Sequence, residues 1–174
     1  PQSGRVKAML RWIVSGPDMY AGKKRSTQNG LEVVDKLLHG FGAAGFDDII
    51  DVRTPSEYAE DHVPGAISLP VLDDAERARV GTIYKQVSPF DGRRVGGALV
   101  AANAAVHISG PLADRGGAWQ PLLYCWRGGQ RSGSFATILS QIGWRASVLE
   151  GGWKTWRRLV LEMVERDGPV SPVL

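Results

Sequence analysis

Cys125, the only cysteine of this 174-residue chain, stands between an apolar run, "PLLY", and the loop "WRGGQRS". Glycines allow such a loop to turn tightly, so that successive backbone N–H groups point at one centre. A helix that follows the loop adds the partial positive charge of its N-terminus. The first anion that such a centre would stabilise is the Cys125 thiolate itself. The loop therefore predicts a reactive thiol with a lowered pKa.

The other residues of the loop are candidates for binding an anionic substrate. They are Trp126, Arg127, Gly128, Gly129, Gln130, Arg131 and Ser132. We expect the loop amides, together with Arg131 or Arg127, to hold a group such as phosphate. A lone cysteine is more often a small apolar residue of the core, but the Gly/Arg turn after it favours a function.

Two chemistries use a cysteine loop of this kind. In sulfur or selenium transfer the thiolate accepts a chalcogen atom as a persulfide or perselenide, whereas in phosphate ester hydrolysis it forms a phosphocysteine. The C-x5-R-S spacing equals that of tyrosine phosphatases and is one residue longer than the usual rhodanese loop. A phosphatase also needs a general acid, and the loop contains no carboxylate. The spacing favours phosphatase chemistry, and the missing acid counts against it.

The elements around this loop follow an alternating pattern of short apolar runs and segments with helical periodicity. The predicted strands are "FDDIIDVR" (46–53), "PGAISLP" (64–70), "PLLYC" (121–125) and "RASVLEGG" (145–152). The predicted helices cover residues 30–40, 54–62, 73–85, 93–107, 131–143 and 153–166, with a break at "VSPFDG" (87–92) and a loop at 108–119. This alternation predicts an α/β fold whose parallel sheet is covered on both faces.

Ligands of such sheets bind beyond the carboxyl ends of the strands. Asp51 and Arg53 end one predicted strand and Cys125 ends another, so we expect the three to share an edge of the sheet. Asp51 is interpreted as an orienting group and not as a proton donor.

The amino-acid composition of the chain limits the classes of function that it can have. A single cysteine and three histidines predict neither an internal disulfide nor a metal site. The chain shows no apolar run of membrane-spanning length and no secretory signal, so we expect a soluble, cytoplasmic protein without a membrane partner. The net charge of +3 favours anionic partners. "GFGAAG" (40–45) and "GPDMYAGKK" (16–24) lack the context of nucleotide-binding loops.

Two longer stretches, "IIDVRTPSEYAEDHVPGAISLP" and "LLYCWRGGQRSGSFATILSQIGWRASVLEGGWKTWRR", resemble a rhodanese-like domain. More narrowly, "DHVPGA", "LPVLDDAERARVGTIYKQVSPF" and "YCWRGGQRSGS" are similar to the N-terminal domain of the tRNA 2-selenouridine synthase family. The resemblance covers roughly residues 46–160. It implies a rhodanese-like three-layer sandwich in which a central, mostly parallel sheet is flanked by helices.

The resemblance also implies an activity and roles for individual residues. Cys125 is similar to the cysteine that takes selenium from selenophosphate and passes it, through a geranylated intermediate, to 2-thiouridine at the tRNA wobble position. The longer loop could admit a phosphate-bearing donor. Arg53 and Glu57 match the family's structural Arg/Glu pair, and Gly151 and Gly152 match the glycines that flank the site.

The same resemblance suggests how the chain is organised and what it binds. We expect an irregular arm over 1–30, a rhodanese-like domain over 31–167 and a linker end over 168–174. The expected partners are tRNA and selenophosphate, with no resident cofactor, because geranyl diphosphate belongs to a second domain of the family that has a nucleotide-type phosphate loop. We find no such loop in this sequence.

Two other functions stay open. The chain could be a stand-alone sulfurtransferase that carries a persulfide. Alternatively, a non-catalytic RNA-binding module would place Arg93, Arg94, Arg157 and Arg158 on one face.

Overall fold

The computed structural model describes residues 14–15 and 45–167, and the fold is reported for these residues. Their strands are β1 (Val14–Ser15), β2 (Asp48–Asp51), β3 (Ile67–Ser68), β4 (Pro121–Tyr124) and β5 (Ser147–Leu149). Their helices are α1 (Pro55–Glu60), α2 (Asp74–Gln86), α3 (Pro89–Ser109), α4 (Gln130–Ile142) and α5 (Gly152–Asp167).

The five strands form one sheet in the order β1-β5-β4-β2-β3. Strands β2 to β5 are parallel to their neighbours, and only β1 runs antiparallel, beside β5 at the edge. Asp51 pairs in register with Tyr124, so the carboxyl ends of β2 and β4 lie side by side. This register places the Asp51 end of β2 beside Cys125, which follows Tyr124 directly.

Alternating side chains of the central strands enter two separate apolar cores. Ile50 and Leu123 pack on one face of the sheet, among residues of α3 and α4. Ile49 and Leu122 pack on the opposite face, against α5 and Tyr58 of α1. The architecture is the predicted three-layer α/β sandwich with a mostly parallel central sheet.

Local sequence sets where the helices begin. Thr54 and Asp73 accept hydrogen bonds from the first turns of α1 and α2, and each helix has a capping box that a glutamate completes. Helix α4 ends at Gly143, whose φ of 112° needs a residue without a Cβ. Such end signals are short-range, and they explain why the predicted bounds of α1, α2 and α4 agree closely with the observed ones. The strands are shorter than predicted, since β3 covers only Ile67–Ser68 of the predicted 64–70.

The predicted break over 87–92 is wrong. Helix α3 begins at Pro89 and not near Arg93, because the Ser88 side chain caps the backbone N–H of Asp91 and proline is well suited to a first helical position. Helices α2 and α3 therefore form a tight hairpin, in which a Cβ at Gly92 would lie 2.7 Å from the Tyr84 backbone.

Several expectations concern residues outside the described part. The predicted helix over 30–40, the linker end over 168–174 and all of the arm except Val14 and Ser15 lie outside the described residues. Within the described part, no helix combines the length and the apolar character needed to cross a bilayer.

Candidate active site

The cysteine loop joins the end of β4 to the start of α4, and Cys125 lies at its base. The Cys125 side chain is buried with 3% exposure, and its Sγ accepts two hydrogen bonds. One comes from the backbone N–H of Gly129 at 3.2 Å, and the other comes from the Ser132 hydroxyl at 3.2 Å. The loop thus places two hydrogen-bond donors on the sulfur.

These donors affect the pKa of the Cys125 thiol. Burial acts to raise the pKa of the Cys125 thiol, since it removes the thiolate from water. The hydrogen bonds from the Ser132 hydroxyl and the Gly129 N–H, together with the neighbouring backbone N–H groups of Ser132 and Arg127, outweigh burial and hold the pKa of the thiol below its ordinary value. The site therefore favours the nucleophilic form of cysteine.

Two glycines bring the cysteine loop against the turn between β5 and α5. Gly128 has a φ of +65°, and a Cβ there would lie 2.6 Å from the Gly151 nitrogen. Gly152 has a φ of +56°, and its Cβ would overlap the Cys125 carbonyl oxygen. The first backbone amides of α5 bond to the loop, from Trp153 to the Cys125 carbonyl (2.9 Å) and from Lys154 to the Trp126 carbonyl (3.2 Å). Gly151 and Gly152 therefore do flank the loop.

A fully buried ion pair lies beside the loop. Arg53 donates to both carboxylate oxygens of Asp51, at distances of 2.7 to 3.1 Å, and neither side chain is exposed. The Tyr124 hydroxyl donates to Asp51 at 2.7 Å and accepts from the backbone N–H of Val63 at 3.1 Å. Asp51 thus accepts hydrogen bonds from both Arg53 and Tyr124. Tyr124 was not among the predicted site residues, because its place opposite Asp51 depends on the pairing of β2 with β4.

The predicted Arg53/Glu57 pair is wrong as an ion pair. Arg53 is bound to Asp51, and Glu57 accepts a bidentate hydrogen bond from Arg131 of the cysteine loop, at 2.8 and 3.3 Å. The physical reason is that Asp51, two residues before Arg53 in the sequence, offers a buried carboxylate within hydrogen-bond distance, whereas Glu57 on α1 lies within reach of Arg131. Arg131 is therefore held by a carboxylate, whereas Arg127 and Gln130 are exposed.

Aromatic rings surround the buried guanidinium of Arg53. Its carbon lies 5.3 Å from the Trp153 ring centre, 5.6 Å from Tyr124 and 5.9 Å from Trp126. The Nη1 atom of Arg53 is buried without a hydrogen-bond partner. Cation–π interactions with these rings therefore stabilise the charge of the guanidinium in place of a hydrogen bond at Nη1. Trp126 and Trp153 thus link the buried ion pair to the outer surface of the loop.

No group of three or more metal-ligating side chains occurs in the part of the chain that the structure describes. The geometry alone fits a nucleophilic cysteine that receives a group from an anionic donor.

The family model of the rhodanese-like domain matches residues 32–159. The chain belongs to the rhodanese-like family. In this rhodanese-like domain, Cys125 occupies the loop between a central strand and the next helix, and the match includes every site residue described above.

The rhodanese-like domain has curated relatives in bacteria. It is 35% identical to the tRNA 2-selenouridine synthase of Bdellovibrio bacteriovorus over 126 residues, which are 67% of this chain and 31% of the relative. It is 36% identical to that of Chromohalobacter salexigens over 135 residues, or 72% of this chain and 35% of the relative. The chain thus spans about a third of the length of these curated relatives.

A solved structure of a single domain is also similar to this chain. The N-terminal domain of a candidate ATP/GTP-binding protein from Clostridium difficile 630 is 37% identical to this chain, with a TM-score of 0.57. The match covers 65% of this chain and 88% of that domain.

Proposed function

We infer that this chain is the chalcogen-accepting domain of a tRNA 2-selenouridine synthase. Cys125 takes selenium, or sulfur, from an anionic donor such as selenophosphate and passes it towards 2-thiouridine at the tRNA wobble position. The observation that carries this proposal is the convergence of hydrogen-bond donors on the Cys125 sulfur. The named relatives, which match the same region of the chain, support the choice of substrate.

In the loading step, the Cys125 thiolate attacks the outer chalcogen atom of the donor. A sulfur–chalcogen bond forms while the bond between the chalcogen and the donor breaks, and its electron pair leaves with the donor group. With thiosulfate the leaving group is sulfite. With selenophosphate the selenium–phosphorus bond breaks, and the phosphorus group leaves at the oxidation level of phosphite. The donors around the sulfur are already oriented, so they stabilise negative charge without reorganising.

The donor's anionic group needs positive charge near the mouth of the loop. Arg131 is bound to Glu57 and fixes the loop, whereas the side chain of Arg127 is exposed and its backbone N–H helps to lower the pKa of the thiol. We therefore assign the donor anion to Arg127 and the loop amides, and a positioning role to Arg131.

The acceptor must be external, because the chain has no second cysteine to attack the loaded sulfur. With a thiol acceptor, the acceptor sulfur attacks the outer chalcogen, and the electron pair of the broken bond returns to the Cys125 thiolate. With 2-thiouridine, the outer selenium attacks C2, the C2–sulfur bond breaks, and its electron pair leaves with the sulfur group. An external thiol then attacks the Cys125 sulfur and breaks the sulfur–selenium bond, so that selenium stays on C2, and a second thiol reduces the resulting disulfide. A tRNA acceptor would place the reaction in the cytoplasm. Geranyl transfer, in this proposal, belongs to the part of the relatives that this chain does not span.

Phosphatase chemistry fits the described residues less well. The carboxylate joined to the cysteine loop is Glu57, and burial acts to raise its pKa. Hydrogen bonds from Arg131 and Thr54 outweigh that effect and hold the pKa of Glu57 below its ordinary value. An acid that must donate a proton at neutral pH needs a raised pKa, so Glu57 is poorly suited to protonate a leaving group.

The test is intact-mass spectrometry of the chain after separate incubation with thiosulfate, selenophosphate and an aryl phosphate. We expect Cys125 to gain one sulfur or one selenium atom, and we expect the Cys125→Ser variant to gain neither. A phosphoryl adduct on Cys125 would support phosphatase chemistry instead. If no donor modifies the wild-type chain, the loading step proposed here is wrong.

A further inference from the structure

A groove runs along α5, beginning beside the cysteine loop. It encloses about 590 Å³ and is lined at one end by Trp126 and Trp153. The lining continues along α5 to Glu165, which at 1.5 Å per residue lies about 18 Å from Trp153 along the helix axis. The loading step described above uses none of this surface.

The end of the groove near the cysteine loop combines aromatic and cationic side chains. Trp126 follows the nucleophile directly and is half-buried, and the Trp126 and Trp153 ring centres lie 6.4 Å apart. The exposed guanidinium of Arg157 lies 5.4 Å from the centre of the Trp153 ring. Lys154 and Arg158 line the same stretch and are also exposed. Trp153 is buried, so this end offers the partly exposed ring of Trp126 together with three positive charges.

The charge changes along the groove. The three cations lie within the first two turns of α5, whereas the carboxylates of Glu162 and Glu165 line its farther part. Glu162 lies 3.6 Å from Arg158, and both side chains are about half exposed. An anionic ligand would therefore be attracted to the end that adjoins Cys125.

Rings beside cations are the combination that binds single-stranded nucleic acids. Bases stack on aromatic side chains, while arginine and lysine follow the phosphates. The volume of the groove is also in the range of ligand sites. We propose that this groove binds the single-stranded RNA that carries the acceptor base, with a base on Trp126 and phosphates on Arg157 and Arg158. This proposal rests on the proposed function, because it places the acceptor beside the loaded Cys125.

The chain offers a matched control for the two arginines. Arg93 and Arg94 are also adjacent and exposed, but they lie on α3, which packs on the opposite face of the sheet from α5. The expectation of one arginine face for RNA binding is therefore wrong, because the two pairs belong to helices on opposite faces. Arg93→Gln/Arg94→Gln removes the same charge as Arg157→Gln/Arg158→Gln without altering the groove.

The test is fluorescence anisotropy with a labelled anticodon stem-loop RNA that carries 2-thiouridine, titrated at several salt concentrations. We expect Arg157→Gln/Arg158→Gln to weaken RNA binding. The plot of log affinity against log salt concentration should also become less steep by about 1.4, because each of the two lost phosphate contacts contributes about 0.7 to the slope for single-stranded RNA. We expect the Arg93/Arg94 variant to keep the wild-type slope. Trp126→Leu should weaken binding about tenfold, and Trp126→Phe should retain most of the affinity because it keeps an aromatic face.

Equal losses in the two arginine variants, or unchanged affinity in the groove variants, would overturn the proposal and leave a protein partner as the occupant of this surface. Mass spectrometry on the same samples separates the two proposals. If Cys125 accepts a chalcogen but the groove variants bind RNA normally, only the groove proposal fails. If the groove binds RNA and no donor loads Cys125, the proposed function fails and the groove proposal holds.

Discussion

The hydroxyl of Ser132 lies 3.2 Å from the sulfur of Cys125 and donates a hydrogen bond to it. Ser132 is fully buried at the first turn of α4, so this donor has a fixed position. A hydroxyl in this place lowers the pKa of the thiol even though burial acts to raise it.

Replacing that hydroxyl tests how the thiolate is stabilised. We expect Ser132→Ala to raise the pKa of Cys125 and to slow alkylation by iodoacetamide at pH 7 by about tenfold, because a hydrogen bond to a charged group contributes about 1.5–3 kcal/mol. The measurement is the alkylation rate as a function of pH. Ser134→Ala, at an exposed serine of the same helix, is the control. An identical pH midpoint in Ser132→Ala and the wild type would contradict the assignment.

A second prediction concerns the stability of the fold, and it follows from the close contact between Gly152 and the cysteine loop. Gly152→Ala should lower the free energy of unfolding by about 2 kcal/mol or more, because its Cβ would overlap the Cys125 carbonyl oxygen and its φ is positive. The same substitution at Gly97 of α3 meets no atom within 4 Å. Gly97→Ala should raise stability by about 0.5–1 kcal/mol. Urea unfolding measures both, and equal effects of the two variants would argue against the described contact.

The Glu57–Arg131 pair predicts a dependence of stability on pH. Because the pKa of Glu57 in the folded chain is below its ordinary value of 4.5, the pair contributes stability at pH values above about 4.5. That stability is lost as the pH falls through the folded-state pKa. Glu57→Gln should therefore cost about 1–2 kcal/mol at pH 7 and progressively less below pH 4.5.

Urea unfolding between pH 3 and pH 7 checks this dependence. Glu60→Gln, at an exposed residue of the same helix, removes one carboxylate without breaking the pair with Arg131. A constant difference between Glu57→Gln and the wild type at every pH would show that the pair does not carry the effect.

The buried network of Asp51, Arg53 and Tyr124 predicts which of two substitutions lowers the free energy of unfolding more. Burial and the Asp51 charge raise the pKa of the Tyr124 phenol, which therefore stays a proton donor at neutral pH. Tyr124→Phe removes one donor and should cost about 1–3 kcal/mol, since the Asp51 carboxylate keeps its bonds to Arg53. Asp51→Asn leaves the buried guanidinium without its counter-charge and should cost about 3–5 kcal/mol. Thermal unfolding of both variants checks this order, and a larger loss in Tyr124→Phe would refute it.

The sequence predicted the elements that short-range signals define. The four parallel strands, the cysteine loop and the ends of α4 followed from apolar runs and glycines. Strand β1 did not, because Val14 and Ser15 lie in the stretch expected to be an irregular arm, and they are paired with β5. The start of α3 was missed because "SPFDG" contains turn-forming residues, and these same residues cap a helix when Pro89 takes its first position.

Side-chain partners were harder to predict, since they depend on the register between strands that are distant in the sequence. Asp51 and Tyr124 are 73 residues apart, yet they are hydrogen-bonded. Arg131 and Glu57 are also paired across 74 residues. No local pattern identifies either contact, although the composition of the loop was enough to make Cys125 a candidate nucleophile.

The backbone bonds from Trp153 and Lys154 to the cysteine loop have a consequence for motion. The loop cannot open by itself, since its carbonyls are bonded to the first turn of α5. The two segments should therefore open together as one cooperative unit, and their amide hydrogens should exchange with solvent at a shared free energy. Any ligand that holds the start of α5 would then also slow the exposure of the reactive sulfur.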